Sequence, residues 1–196
     1  MTCMRYAASV ALLALLAACS AEPEPAVPDD GIAAPAVPAD PVETPGPSAS
    51  ADPMTLTPAG LGPIVINSPP PTGVESALME DQDQLSEDCR TLHSARYPGS
   101  YVMSDGKLVR RISIGSGSTI RTARGIGPGS GEADVRKAYS PLTEQPHKYA
   151  GAPAKYLTWR PDGDGPALRF EIDSLGRVAI VHAGVDPWLS YVEGCA

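Results

Sequence analysis

From residue 56 onward the chain is written mostly in the two-residue period of half-buried β-strands. Residues 101–114, Tyr-Val-Met-Ser-Asp-Gly-Lys-Leu-Val-Arg-Arg-Ile-Ser-Ile, carry apolar stretches on both sides of Asp105-Gly106, a pair that favours a hairpin turn. Residues 170–184 repeat the layout with Gly176 at the turn. Val178, Ile180 and His182 are expected on the same face as their counterparts Leu108, Arg110 and Ile112. Tyr156-Leu-Thr-Trp159 predicts a further strand, closed by a turn at Asp162-Gly-Asp-Gly165.

Two segments switch to helical spacing, and they echo each other. GLGPIVINSPPPTGVESAL (60–78) aligns with GIGPGSGEADVRKAY (125–139) so that Ile64 meets Ile126 and Asn67-Ser68 meets Gly129-Ser130. Val74, Ala77 and Leu78 then meet Val135, Ala138 and Tyr139, apolar at spacings of three and four. Glu132 and Asp134 fall in the first turn of the second segment, where the helix dipole favours acids. Each half, about 60–118 and 119–196, therefore reads as a helix followed by antiparallel strands. The expected fold class is α+β: one domain over 56–196, with helices on one side of a meandering sheet.

The N-terminal third follows other rules. Residues 7–18 are apolar except for Ser9, follow a single base, Arg5, and are too short to span a bilayer, which needs about 20 residues. Their layout is that of a secretory signal over 1–18, with translation from Met1 or from Met4. The run stops at Leu16-Ala17-Ala18-Cys19, which resembles the lipobox of bacterial lipoproteins. That resemblance implies cleavage before Cys19 and a thioether-linked diacylglycerol on its thiol, with a further acyl chain on its amine as an option. Two or three acyl chains anchor stably where one does not. Ser20 stands where the family's retention signal would place Asp, which implies the outer membrane, facing the periplasm. Residues 20–55 hold nine prolines and seven acids but no Lys, Arg or aromatic residue, a composition expected to stay an extended, disordered tether. The formal charge of −8 is thus mostly the tether's, since residues 56–196 carry 16 acids against 14 bases.

The folded part, over about 60–185, is similar in pattern to the SmpA/OmlA outer-membrane assembly lipoproteins and to the tandem repeats of the β-lactamase-inhibitor-protein-like fold. Their repeats begin with a Gly-Met-Thr-x-x-x-Val segment. Gly129 and Val135 match it, Ser130-Gly131 replaces Met-Thr, and in the first half Asn67 replaces the glycine ahead of Pro69-Pro70-Pro71. The resemblance implies a binding or scaffolding role with no catalytic residue.

After Cys3 leaves with the signal and Cys19 is acylated, Cys89 and Cys195 remain. An oxidising compartment favours their disulfide, with free thiols or a metal pair as the competing readings. His93, His147 and His182 lie far apart, and no Gly-x-Ser-x-Gly elbow accompanies them. A triad with a serine stays open, and an envelope hydrolase is the alternative function. Residues 125–131 precede a helix but lack the Gly-Lys-Ser/Thr of a phosphate loop, and are read as its structural start. Residues 162–165 lack the ligand Glu of a calcium loop. No metal or cofactor is expected. Residues 107–137 hold seven bases against two acids, and Arg110, Arg111, Arg121 and Arg124 are the candidates for an anion- or partner-binding strip. The expected function is a non-enzymatic, membrane-anchored envelope lipoprotein binding a protein, peptidoglycan or lipopolysaccharide. Nucleic acid is an implausible partner for an exported chain.

Overall fold

Alternation decides the architecture more fully than helical spacing does. The structure, a computed structural model, describes residues 54–195 except 75 and 83–85. The signal segment, Cys19 and nearly all of the tether lie outside them. Among the described residues there are twelve strands and one α-helix. Eight strands form an antiparallel sheet: β4 (Leu78–Glu80), β5 (Arg90–Ser94), β6 (Ser100–Ser104), β7 (Val109–Ile114), β9 (Thr143–Pro146), β10 (Lys155–Trp159), β11 (Ala167–Ile172) and β12 (Val178–Gly184). Their order is β4-β5-β6-β7-β12-β11-β10-β9, two four-stranded meanders joined along β7 and β12. A smaller sheet contains β1 (Thr55–Thr57), β2 (Gly60–Leu61), β3 (Ile64–Val65) and β8 (Arg121–Thr122), with β1 parallel to β8.

The α+β expectation is therefore corrected: the described residues form a β-rich fold with a single α-helix, α1 (Glu132–Ala138). The expected first-half helix does not form. Pro69, Pro70 and Pro71 carry no backbone N–H and hold the preceding residues extended, so the segment runs irregularly up to Gly73. One helical hydrogen bond survives, from the Ala77 N–H to the Gly73 carbonyl at 3.2 Å.

The duplication itself is written in the backbone. Asn67 and Gly129 both have positive φ, 62° and 87°. The Asn67 N–H donates to the Val109 carbonyl and the Gly129 N–H to the Val178 carbonyl, each at 2.8 Å. The return bonds, from Val109 N–H to Ser68 O and from Val178 N–H to Ser130 O, are also 2.8 Å. Both hairpins shift register at matching places, Met103/Ser104 and Glu171/Ile172. The second loop is one residue longer than the first. Val178 thus corresponds to Val109 rather than Leu108, and His182 to Ser113 rather than Ile112, which moves the expected counterparts by one.

One face of the large sheet is apolar. Leu92, Val102, Ile112, Ala183, Leu168 and Trp159 make one cross-strand row, and Ile114, Val181, Phe170 and Leu157 the next. Leu56, Leu61 and Ile64 of the small sheet, Ile120 directly before β8 and Val135 of α1 join this core. Tyr139, just past α1, meets Phe170 and Trp159 at centroid distances of 5.1 and 4.9 Å. Burial of this surface, at about 25 cal/mol per Å², is the main favourable term for the fold. Glu132 and Asp134 sit in the first turn of α1 and Arg136 and Lys137 in its last, matching the dipole.

Candidate functional site

Because strand side chains alternate, the residues between the core positions are presented to the opposite face. Its central row reads His93, Tyr101, Ser113, His182, Arg169, Thr158 and Thr143 across seven strands. The next row contains Arg111 opposite Gly184. On the far side Glu171 pairs with Tyr156, which pairs with Gln145. Arg111, Ser113, His182, Arg169 and Tyr156 are all buried while Tyr101, His147 and Glu171 are partly exposed, so the middle of this face holds a largely buried polar network.

Glu171 is its hub. His147 Nε2 lies 3.0 Å from Glu171 Oε1, and His182 Nε2 lies 3.8 Å from Oε2, an electrostatic approach beyond hydrogen-bond length. The backbone N–H groups of Tyr149 and Ala150 both donate to His147 Nδ1 at 3.1 Å, which fixes the proton of the neutral ring on Nε2. That nitrogen therefore donates to Glu171 and has no lone pair for a metal in this state. His182 and then His147, acting against burial, hold the Glu171 carboxyl down at about 2. Burial pushes His182 down to about 4, helped by the positive charges of Arg111 and Arg169 and opposed by Glu171. His182 is neutral at pH 7. With Glu171 facing Nε2, its proton belongs there, and Nδ1 accepts from the Ser113 hydroxyl at 2.8 Å.

The order hydroxyl, imidazole, carboxylate is that of an activated nucleophile. Access is what it lacks. Ser113 has 0% relative exposure, and its strand is paired on both sides, with β6 and β12. The remaining members pack the face. The His147 and Tyr156 rings stack at 4.8 Å and 16°, and the Arg169 guanidinium carbon lies 4.0 Å from the Tyr156 ring centre. Arg169 Nη1 donates to Gln145 Oε1 at 3.1 Å.

The C-terminal segment covers part of this face. Cys89, directly before β5, and Cys195 form a disulfide with a Cα–Cα distance of 5.4 Å. A shallow cleft of about 410 Å³ lies along it, lined by Lys148, Tyr191, Glu193 and both cysteines among others. The Tyr149 hydroxyl donates to Glu193 across the cleft's edge.

The four candidate arginines serve four separate places. Arg110 and Arg111 are neighbours at the register shift of one strand and engage different partners. Arg110 pairs with Asp105 at 2.7 Å and donates to Asn67 Oδ1 at 2.8 Å. Arg111 is buried in the network. Arg121 is exposed on β8 and donates to the Ile120 carbonyl. Arg124 lies over the Tyr139 and Trp159 rings at 4.8 and 4.7 Å. His93 stands apart, 3.1 Å from Asp81. In 125–131, the N–H groups of Gly127, Gly129, Ser130 and Gly131 all have protein partners, which accounts for that loop as the start of α1. At 162–165 the Gly165 N–H closes a turn on the Asp162 carbonyl at 2.9 Å. Sequence reasoning missed Glu171, Arg169, Tyr101 and Ser113. Their signal was parity: each alternates with a core residue on a strand already predicted. No protein-family model, curated protein or solved structure matches this chain.

Proposed function

We propose that this chain is a non-enzymatic envelope lipoprotein, anchored to the bacterial outer membrane through acylated Cys19, whose β-domain binds a protein or an envelope polymer. The closed state of the serine–histidine–glutamate set carries the non-enzymatic half of this reading: Ser113 is 0% and His182 5% exposed. A nucleophile must reach within about 3–3.5 Å of its substrate, and this one is fully buried. The Cys89–Cys195 bond supports the oxidising side of the membrane as the compartment.

The test uses the full chain expressed with its own signal in a Gram-negative host. Mass spectrometry of the mature protein is expected to show a diacylglyceryl Cys19 at the N-terminus, lost with Cys19→Ala along with membrane partition. Purified peptidoglycan sacculi and lipopolysaccharide serve as binding probes beside crosslinking in the envelope. An unmodified Cys19 refutes the anchor. Fluorophosphonate labelling of wild type that disappears in Ser113→Ala refutes the non-enzymatic reading and establishes the hydrolase instead.

A further inference from the structure

Arg111 is the largest fully buried side chain among the described residues, and its hydrogen-bond partners there are all neutral. Its Nη1 donates to the carbonyls of Trp188, at 3.1 Å, and Tyr191; its Nη2 lies 3.3 Å from the Tyr101 hydroxyl. Among the described residues its Nε has no hydrogen-bond partner. The nearby carboxylate, Glu171, is engaged by two histidines. A buried guanidinium without a carboxylate in contact is costly, because its own preference is for a bidentate oxyanion.

What covers it is slender. The 3₁₀ turn Trp188–Ser190 is anchored by buried Leu189. Beyond it, residues 191–195 add no side chain to the core. They are held by the Tyr191 carbonyl on Arg111, by the Tyr191 N–H and ring on Trp188, by the Tyr149–Glu193 contact and by the disulfide. Gly194 lies close above the guanidinium: a Cβ there would stand 4.0 Å from Arg111 Nη2. Cys89 and Cys195 are both half-buried and line the open cleft, within reach of an attacking thiolate.

We propose that residues 191–195 are a redox-released cover, and that its release opens Arg111, flanked by Tyr101 and Arg169, as a binding site for a carboxylate or phosphate oxyanion. The reductant is a protein dithiol of the Cys-x-x-Cys class. One of its thiolates attacks a sulfur of the disulfide; the S–S bond breaks, and its electron pair leaves on the other cysteine, which takes a proton. The second thiolate then resolves the mixed disulfide. Two electrons and two protons pass to Cys89 and Cys195, and the dithiol becomes a disulfide. This inference goes beyond the lipoprotein reading and does not depend on Cys19.

The experiment compares the oxidised full chain, the dithiothreitol-reduced chain and the Cys89→Ser/Cys195→Ser variant by hydrogen exchange. Amides of 191–195 are expected to exchange about tenfold or more faster without the disulfide, while 100–114 and 167–184 keep their protection. The Arg111 Nε–H resonance is then followed by NMR during titration with inorganic phosphate and, separately, with acetate. A shift with either anion in the reduced and double-serine forms, absent from the oxidised form, supports the site and tells which oxyanion it prefers. Unchanged protection of 191–195 after reduction, loss of strand protection along with it, or an Nε–H indifferent to both anions overturns it.

Discussion

Replacing His182 by glutamine isolates the electrostatic cost of burying an imidazole beside two arginines. In the unfolded chain this histidine titrates near 6.5, and in the folded chain near 4. The folded state therefore binds the proton less readily than the unfolded state. Its contribution is fully present above about pH 6.5 and is lost as pH falls from there to about 4. Linkage over that difference gives a loss of about 2 kcal/mol between pH 7.5 and pH 5. Glu171 shifts from 4.5 to about 2, so its contribution is present above the unfolded value and is lost mainly below pH 4.5. The window from pH 7.5 to 5 thus reports His182 nearly alone among the pair. Urea unfolding of wild type and His182→Gln at half-unit pH steps measures the difference. Wild type is expected to lose about 2 kcal/mol more than the variant across the window. The glutamine keeps a polar group beside Ser113, so a lower but parallel pH curve reports only packing. Parallel curves would refute the reasoning, since they would mean that His182 is protonated, or free to be, in the folded protein.

Three further outcomes follow from the geometry. Gly60 has φ of +152°, and a Cβ there would stand 2.1 Å from the Ile64 carbonyl oxygen; Gly60→Ala should destabilise by about 2–4 kcal/mol in denaturant melts, with a change under 1 kcal/mol counting against the close approach. Arg124→Met removes the cation over Tyr139 and Trp159 and should cost about 1 kcal/mol, followed by tryptophan fluorescence. Opening the disulfide frees a loop spanning 106 residues in the unfolded chain and should lower stability by at most about 4.7 kcal/mol, measured as the shift in unfolding midpoint with and without reductant.

The legible parts of this fold were those governed by local chemistry. The two hairpins, the strand at 155–159 and the turn at 162–165 follow from alternation and turn residues. The positive φ shared by Asn67 and Gly129 follows from a short alignment that pairs one left-handed-tolerant residue with another. The first helix was misread because apolar spacing at Val74, Ala77 and Leu78 was weighed above three consecutive prolines. Backbone geometry overrides periodicity there: a helix cannot be entered through residues that lack the N–H and crowd the preceding turn. The short strands β4 and β9 were invisible because two to four exposed residues carry no period. The polar network was hidden for another reason. Ser113 with His182 and Arg169 with His182 are cross-strand neighbours, and that pairing is set by the β7–β12 junction and by a loop one residue longer than its counterpart. No local window contains either fact.

The duplicated register shows where the two halves part company. Structurally equivalent core positions are filled alike: Val102 with Phe170, Ile112 with Val181, Ile114 with Ala183, Val109 with Val178. The equivalent positions on the opposite face are not: Tyr101 stands against Arg169, Met103 against Glu171, Arg111 against Ile180 and Ser113 against His182. The first half supplies one cation and two hydroxyls, and the second supplies the carboxylate, the imidazole and another cation. Packing demands only volume and apolarity at the core positions, so either half satisfies it. The network needs complementary partners, and it exists only because β7 and β12 are adjacent and bring unlike residues together. The apolar face therefore explains why the sheet is stable, and the polar face, partly covered by the C-terminal segment, is where the two halves differ.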